Sequence, residues 1–239
     1  MNQIDLKKQE IEINGFTTID RIYSPFEIES IATTISQAER ANTSFRRTSD
    51  LYAIRRILWE IPALKAIIFN KRLKEIINDL FGEQYFLVKS IYFDKPEKSN
   101  WFVAWHQDLT ISVDKKVDVP GFKNWTTKSG NFAVQPPVEI LQDNFTIRIH
   151  LDDTDETNGA LKVIPGSARK GVRDPQEINI ANDASTCCQV NAGGIMIMKP
   201  LLMHASDRTI SDKCRRVIHL EFSRGALPEP IDWAEKEVF

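Results

Sequence analysis

Near residue 83 the chain changes texture, and that change restricts the folds open to it. From about residue 23 to 82, apolar residues recur at helical spacing and glycine is absent until Gly82. Ser24-Pro25-Phe26-Glu27 reads as a helix start: a serine cap, proline at the first helical position, and a glutamate three residues after the cap. The predicted helix continues through Ile28, Ile31, Ala32 and Ile35. Further helices are predicted from about Asp50 to Glu60 and from Pro62 to Leu80, ending at Phe81-Gly82.

From Gln84 onward, short alternating stretches are broken by Pro, Gly, Asn and Asp. Leu87 to Phe93 reads as a strand stopped by Asp94-Lys95-Pro96. Thr146 to Asp152 alternates strictly, with Ile147, Ile149 and Leu151 on one face and Thr146, Arg148, His150 and Asp152 on the other. That polar face either meets water or lines a cavity. Leu161 to Ile164, a stretch after Gly193-Gly194, and Arg215 to Phe222 supply more strands. Helices leading into many short strands, without strand–helix alternation, predict a mainly β fold with a helical cap: a jelly-roll or cupin-like double sheet. One domain over residues 1–239 is expected, helical to about residue 83, with the β core over about 84–225.

Composition narrows the setting. With 42% hydrophobic and 27% charged residues the chain can bury a substantial core. Its net charge of −2 is spread without a basic stripe, so no nucleic-acid partner is expected. The polar N-terminus lacks the apolar run of a secretory signal, and the longest apolar stretch, around Ile195 to Met198, is too short to span a bilayer. Three cysteines, Cys187, Cys188 and Cys214, make no disulfide framework or zinc knuckle. A soluble cytoplasmic protein with reduced thiols and no membrane partner is the expectation.

Four histidines carry most of the chemical information: His106, His150, His204 and His219. Two of them open a His-x-Asp pair, His106-Gln107-Asp108 and His150-Leu151-Asp152. In extended backbone such a pair projects from one face, and with a distant histidine it makes the two-histidine, one-carboxylate set of non-haem iron sites. Roughly one chain in four with this composition carries a His-x-Asp by chance, so the spacing alone does not choose between the two pairs. His204 lies just past the strand after Gly193-Gly194, and Arg215 follows eleven residues later at a strand start. Arginine there suits a carboxylate, because its planar fork donates two parallel hydrogen bonds and keeps its charge. Arg216, next to it, should point to the opposite sheet face.

In sequence order, Trp105-His106-Gln107-Asp108-Leu109-Thr110, His150-Leu151-Asp152-Asp153, Asn158-Gly159-Ala160-Leu161, Ile164-Pro165-Gly166-Ser167, Pro200 to Ser206 and Arg215-Arg216 resemble the phytanoyl-CoA dioxygenase family. The resemblance covers about Leu87 to Phe222. It implies a double-stranded β-helix and an Fe(II)- and 2-oxoglutarate-dependent dioxygenase that consumes O2, hydroxylates a small-molecule substrate and releases succinate and CO2. By that resemblance His106, Asp108 and His204 are the metal ligands, and Arg215 and Ser206 hold the co-substrate. Gln107 occupies a position that often contacts it. Arg148 falls where the family commonly has a co-substrate-facing side chain, sometimes aromatic, which makes it a candidate co-substrate or supporting residue; His150 and Asp152 fall where the family binds no metal. A retained Asp108 argues against a halogenase, in which chloride would need the carboxylate's place.

His219, on the face of Arg215, either supports this site or satisfies an interior hydrogen bond. The stretch from Ser112 to Ile140 reads as a long insertion, carrying Phe122, Trp125, Phe132 and Gln135. It is either a lid over the site or a satellite core. Trp125, Gln135 and His150 are the candidate substrate-facing residues. No glycine-rich phosphate cradle supports a CoA thioester as substrate. Two rival readings remain, a non-catalytic cupin-like binding or sensor protein and a zinc hydrolase, and neither specifically needs Arg215.

Overall fold

The computed structural model describes residues 2–41, 46–47, 52–128, 130–174, 176 and 184–239. Its first elements are helix α1 (Gln3–Asn14), strand β1 (Phe16–Ile19) and helix α2 (Pro25–Ala41). Next come β2 (Arg46–Arg47), β3 (Tyr52–Arg55), α3 (Ile57–Glu60), α4 (Leu64–Ile68) and α5 (Lys71–Phe81). The remainder is β4 (Phe86–Lys95), β5 (Val103–His106), β6 (Ile111–Val113), β7 (Lys123–Lys128), β8 (Asn131–Gln135), α6 (Val138–Asp143), β9 (Phe145–His150), β10 (Leu161–Val163), β11 (Thr186–Cys187), β12 (Ile195–Met198), β13 (His204–Ser206) and β14 (Arg215–Ser223).

A seven-stranded sheet in the order β1-β12-β9-β14-β4-β3-β2 forms one wall, and a four-stranded sheet, β11-β10-β13-β5, forms the second. Alternation decides what each face of the first wall does. Phe145, Ile147 and Ile149 of β9, with Ile218, Leu220 and Phe222 of β14, pack against Ile31, Ile35, Leu64, Leu73 and Ile77 of the helices in one core cluster. The other face carries Arg148 and His150 of β9, Arg215, His219 and Glu221 of β14, and Lys89 and Lys95 of β4. Arg148, His150, Arg215 and His219 are all buried there, so the polar face of the alternating strand lines the interior and does not meet water.

The helical layer covers the apolar face as the helical spacing predicts. At the start of α2, the Ser24 N–H donates to Glu27 Oε2 at 2.7 Å and the Glu27 N–H to Ser24 Oγ at 3.3 Å, the reciprocal pair that satisfies two otherwise unbonded amides. The fold departs from the sequence pattern in several places. The helix predicted from Pro62 to Leu80 is two, α4 and α5, because the Asn70 side chain caps a new start by accepting from the Leu73 N–H at 2.9 Å. Residues 52–55 form a strand where a helix is predicted from about Asp50; residues 50 and 51 themselves lie outside the described set. Tyr52 and Ile54 are buried, and pairing with β4 satisfies backbone groups that a short helix would have bonded internally. The N-terminal part is also less purely helical than expected, because β1, β2 and β3 extend the main sheet at both ends.

The stretch read as a long insertion is ordered. Its strands β6, β8 and β7 make a third sheet of three strands. Phe122 belongs to a second core cluster with Val113, Val134, Leu201 and Trp233, against which Trp125 and Phe132 pack. Its aromatics therefore form the satellite core.

Candidate metal and co-substrate site

Antiparallel pairing of β13 with β5 sets His204 directly opposite His106. Asp108 follows β5 by two residues, and its N–H donates to the carbonyl of Pro200 at 2.9 Å, tying it to the turn before β13. Asp108 Oδ1 lies 3.8 Å from His106 Nε2, and Oδ2 lies 3.8 Å from His204 Nε2. One ligand atom from each of the three residues falls within 4.8 Å of the others, and this is the group of that kind found among the described residues.

The histidine tautomers follow from their partners. His106 Nδ1 is 2.8 Å from the carbonyl of Ala104, and His204 Nδ1 is 2.9 Å from that of Leu202. A carbonyl only accepts, so both Nδ1 atoms carry hydrogen and both Nε2 lone pairs face Asp108. Burial lowers the His204 pKa to about 4, which keeps the ring neutral and able to ligate. Burial pushes the Asp108 carboxyl upward, but His204, His219 and Lys89 outweigh it and bring the pKa down to about 2. Asp108 Oδ2 is buried and accepts no hydrogen bond. Two free imidazole lone pairs beside an ionised, unpartnered carboxylate oxygen fit a divalent cation, and the nitrogen–oxygen donor set suits Fe(II).

A second polar cluster lies along the same strands. Ser206, two residues past His204 on β13, donates through its hydroxyl to the Gly159 carbonyl at 2.9 Å. Arg215 Nη1 also donates to the Gly159 carbonyl, and it reaches Ser206 Oγ at 3.3 Å. The guanidinium is buried, its Nε has no partner, and among the described residues no carboxylate forms an ion pair with it. Burial and the charge of Arg148 lower its pKa to about 9, so it stays cationic at neutral pH. A fixed cation with an open donor fits one end of a dicarboxylate.

Lys95 belongs to this cluster, although the sequence pattern marks it only as part of a strand stop. β4 runs on through Lys95, which pairs in register with Arg215 and donates to the Asp207 carbonyl. Its side chain has no exposed surface, and burial with the Arg215 charge lowers its pKa to about 7. A signal exists in the sequence, since Lys89, Ile91, Phe93 and Lys95 keep period two, but Pro96 obscures where the strand stops.

The other candidate residues are distributed as follows. Arg148 Nη1 donates to His219 Nδ1 at 3.2 Å, and His219 Nε2 donates to Glu221 Oε1 at 3.0 Å; Glu221 also takes Lys89 Nζ at 2.7 Å. His219 is therefore a link in an interior network. His150 Nδ1 bonds Thr154 Oγ1 at 2.8 Å, and its buried Nε2 is unpartnered. Asp152 turns away from His150 into a fork with Arg216, Nε to Oδ2 at 3.0 Å and Nη2 to Oδ1 at 2.7 Å, so the second His-x-Asp pair is split.

Gln107, expected at the co-substrate, spends its amide on the framework. It donates to the carbonyls of Gly171 at 2.9 Å and Leu201 at 2.7 Å and accepts the Arg173 N–H at 2.8 Å. Just past the end of β5, its side chain turns away from the flanking ligands and is held by these three backbone partners. Trp125 is packed in the satellite core and Gln135 Oε1 accepts from Asn124 at 2.7 Å, so two of the three substrate-facing candidates have structural partners.

The fold and the residues it gathers define a class, the double-stranded β-helix proteins with a two-histidine, one-carboxylate group inside the barrel. The family model described as phytanoyl-CoA dioxygenase matches residues 11–217, and the chain belongs to that family. It is a non-haem iron, 2-oxoglutarate-dependent oxygenase. The ectoine dioxygenase of Bordetella bronchiseptica is 21% identical over 273 residues, covering 97% of this chain and 82% of that one.

Solved structures agree in fold. The carbocyclase SnoK from nogalamycin biosynthesis superposes with a TM-score of 0.69 at 14% identity, over 93% of this chain and 84% of its own. EvdO2 from Micromonospora carbonacea var. aurantiaca, complexed with 2-oxoglutarate, gives 0.64 at 16% identity over 96% and 95%. HygX from Streptomyces hygroscopicus, with nickel and 2-oxoglutarate bound, gives 0.65 at 13% identity over 93% and 87%. No described helix is long and apolar enough to cross a membrane.

Proposed function

We propose that His106, Asp108 and His204 hold Fe(II), that Arg215, Ser206 and Lys95 receive the distal carboxylate of 2-oxoglutarate, and that the enzyme hydroxylates a small organic molecule. The observation that carries this reading is the shared rail of β13. His204 and Ser206 project from one face two residues apart, so the metal group and the cradle around Arg215 lie along one wall. On this reading a short dicarboxylate runs along that wall, with its keto-acid end at the metal and its far end at the buried guanidinium.

Iron, when bound, supplies the coupling of O2 reduction to oxidative decarboxylation of 2-oxoglutarate and oxidation of the substrate. The chain's own residues do the rest. The Ala104 and Leu202 carbonyls hold both imidazoles with Nε2 free, and Asp108 contributes one negative charge. Arg215 orients the co-substrate through a donor fork in a dry site, where such a hydrogen bond is strongest. His106 is the most exposed of the three, at 36% of its side chain against 6% for His204, so the substrate approaches from the His106 side.

Anaerobic protein with Fe(II) is expected to bind 2-oxoglutarate and to form succinate slowly once O2 is admitted. Arg215→Ala should weaken 2-oxoglutarate binding by about thirtyfold or more and leave metal affinity within a few fold. No 2-oxoglutarate binding in the presence of iron would sink the reading.

A further inference from the structure

With iron and co-substrate in place, buried positive charge is left over. A divalent iron, Asp108, dianionic 2-oxoglutarate and Arg215 together cancel. Lys89 and Glu221 cancel each other across 2.7 Å. Lys95 pairs in register with Arg215 at the far end of the co-substrate, so its charge, when present, is met by the distal carboxylate. Arg148 remains. It is 7% exposed, its Nε has no hydrogen-bond partner, and no carboxylate among the described residues forms an ion pair with it. Its bond to His219 brings no neutralisation, because the imidazole accepts at Nδ1 while its Nε2 hydrogen goes to Glu221.

A buried guanidinium without a counter-charge is costly, and a ligand that brings the missing charge removes that cost. Position says where the ligand would lie. Arg148 projects from the inner face of β9 opposite His219, within electrostatic reach of Asp108, His204 and Arg215, and lies further along the sheet than the register pair of Arg215 and Lys95. On the same face, Thr146 Oγ1 and His150 Nε2 are also buried and unpartnered, so the guanidinium is flanked by groups that can hydrogen-bond a ligand.

We propose that Arg148 is the substrate anchor and that the substrate carries an anionic oxygen group, a carboxylate or a phosphate, which completes the charge balance of the loaded barrel. The inference rests on the oxygenase reading and adds to it the chemical class of what is oxidised. The flanking Thr146 and His150 favour a polar molecule over a fatty acid with a bare chain.

The test uses anaerobic protein loaded with Fe(II) and 2-oxoglutarate, titrated calorimetrically with matched probes: hexanoate against hexanamide, N-acetyl-leucine against N-acetyl-leucinamide, and glycerol phosphate against glycerol. At least one anion should bind where its neutral twin does not, and whether it is a carboxylate or a phosphate names the source. Arg148→Gln should weaken that anion by about thirtyfold or more while 2-oxoglutarate affinity stays within about threefold; Arg148→Lys should recover part of the loss. The proposal is overturned if Arg148→Gln loses 2-oxoglutarate as severely as Arg215→Gln, if neutral twins bind as well as anions, or if no anion binds. Wild-type protein that fails to bind 2-oxoglutarate overturns the oxygenase reading instead, and the two failures are told apart before any probe is added.

Discussion

His106 and His204 are register partners across β5 and β13, with ring centroids 4.2 Å apart and both Nε2 atoms turned toward Asp108. Nearly a hundred residues of chain separate them, and a backbone pairing holds them together. On the proposed assignment, metal affinity depends on the strand ladder as much as on the side chains.

His204 of the proposed metal set and His150 of the rival His-x-Asp pair are separable by experiment. His204→Ala should lower Fe(II) affinity by more than about a hundredfold, beyond what loss of an outer partner typically costs. His150→Ala should leave it unchanged, because its Nδ1 is spent on Thr154 and Asp152 is not beside it. Equilibrium dialysis against Fe(II), or against Ni(II) as an air-stable substitute, reads both; equal losses would dismiss His106, Asp108 and His204 as the metal set.

Asp152 is a structural anchor. Its carboxylate takes three bonds from Arg216, two from the guanidinium and one from the backbone N–H at 2.8 Å. Asp152→Ala should cost about 1–3 kcal/mol of unfolding free energy, since the removed acceptors leave donors behind. Metal stoichiometry should stay the same. Denaturant unfolding with parallel metal analysis decides it, and lost metal at retained stability would contradict the assignment.

Gly159 holds the cradle around Arg215. Its φ is +82°, and a Cβ there would lie 2.6 Å from Lys95 Nζ and 2.7 Å from the Asp207 carbonyl oxygen. Its own carbonyl accepts from both Arg215 and Ser206. Gly159→Ala should destabilise the fold by about 1–3 kcal/mol from backbone strain. It should also weaken 2-oxoglutarate more than it weakens metal, measurable by titrating each separately; intact co-substrate affinity would remove Gly159 from the cradle.

Lys95 links stability to pH. Its folded pKa is about 7, against 10.5 for an ordinary lysine, because burial and Arg215 disfavour the charge. Below pH 7 both folded and unfolded chains are protonated and the burial penalty is felt in full. Between about 7 and 10.5 the unfolded chain binds the extra proton, so stability rises with pH until the penalty is gone. Relative to Lys95→Met, the wild type should gain up to a few kcal/mol across that window, with a slope of about 1.4 kcal/mol for each pH unit. Urea midpoints from about pH 7 to 10 measure it, and parallel curves for the two proteins would show that Lys95 is not buried in charged form.

Much of this protein is readable along the chain. Helical spacing before residue 83 and short alternating strands after it are local signals, and they lead to the helical layer and the double sheet. The order of motifs from Trp105 to Arg216 points to His106, Asp108, His204 and Arg215, because those residues keep fixed places in a recognisable series. Local pattern says which residues share a face, however, and not what that face meets. Whether Arg148 and His150 touch water is open until a second sheet closes over them. Whether His150 and Asp152 point to one place depends on Arg216, which reaches across from β14 to take the carboxylate. The strand of residues 52–55 and the third sheet of residues 111–135 exist because distant partners accept their backbone hydrogen bonds. Lys95 enters the site only because β4 runs its full length beside β14. These are pairing decisions between residues far apart in sequence, made by burial and hydrogen bonding together, and only the tertiary structure contains them.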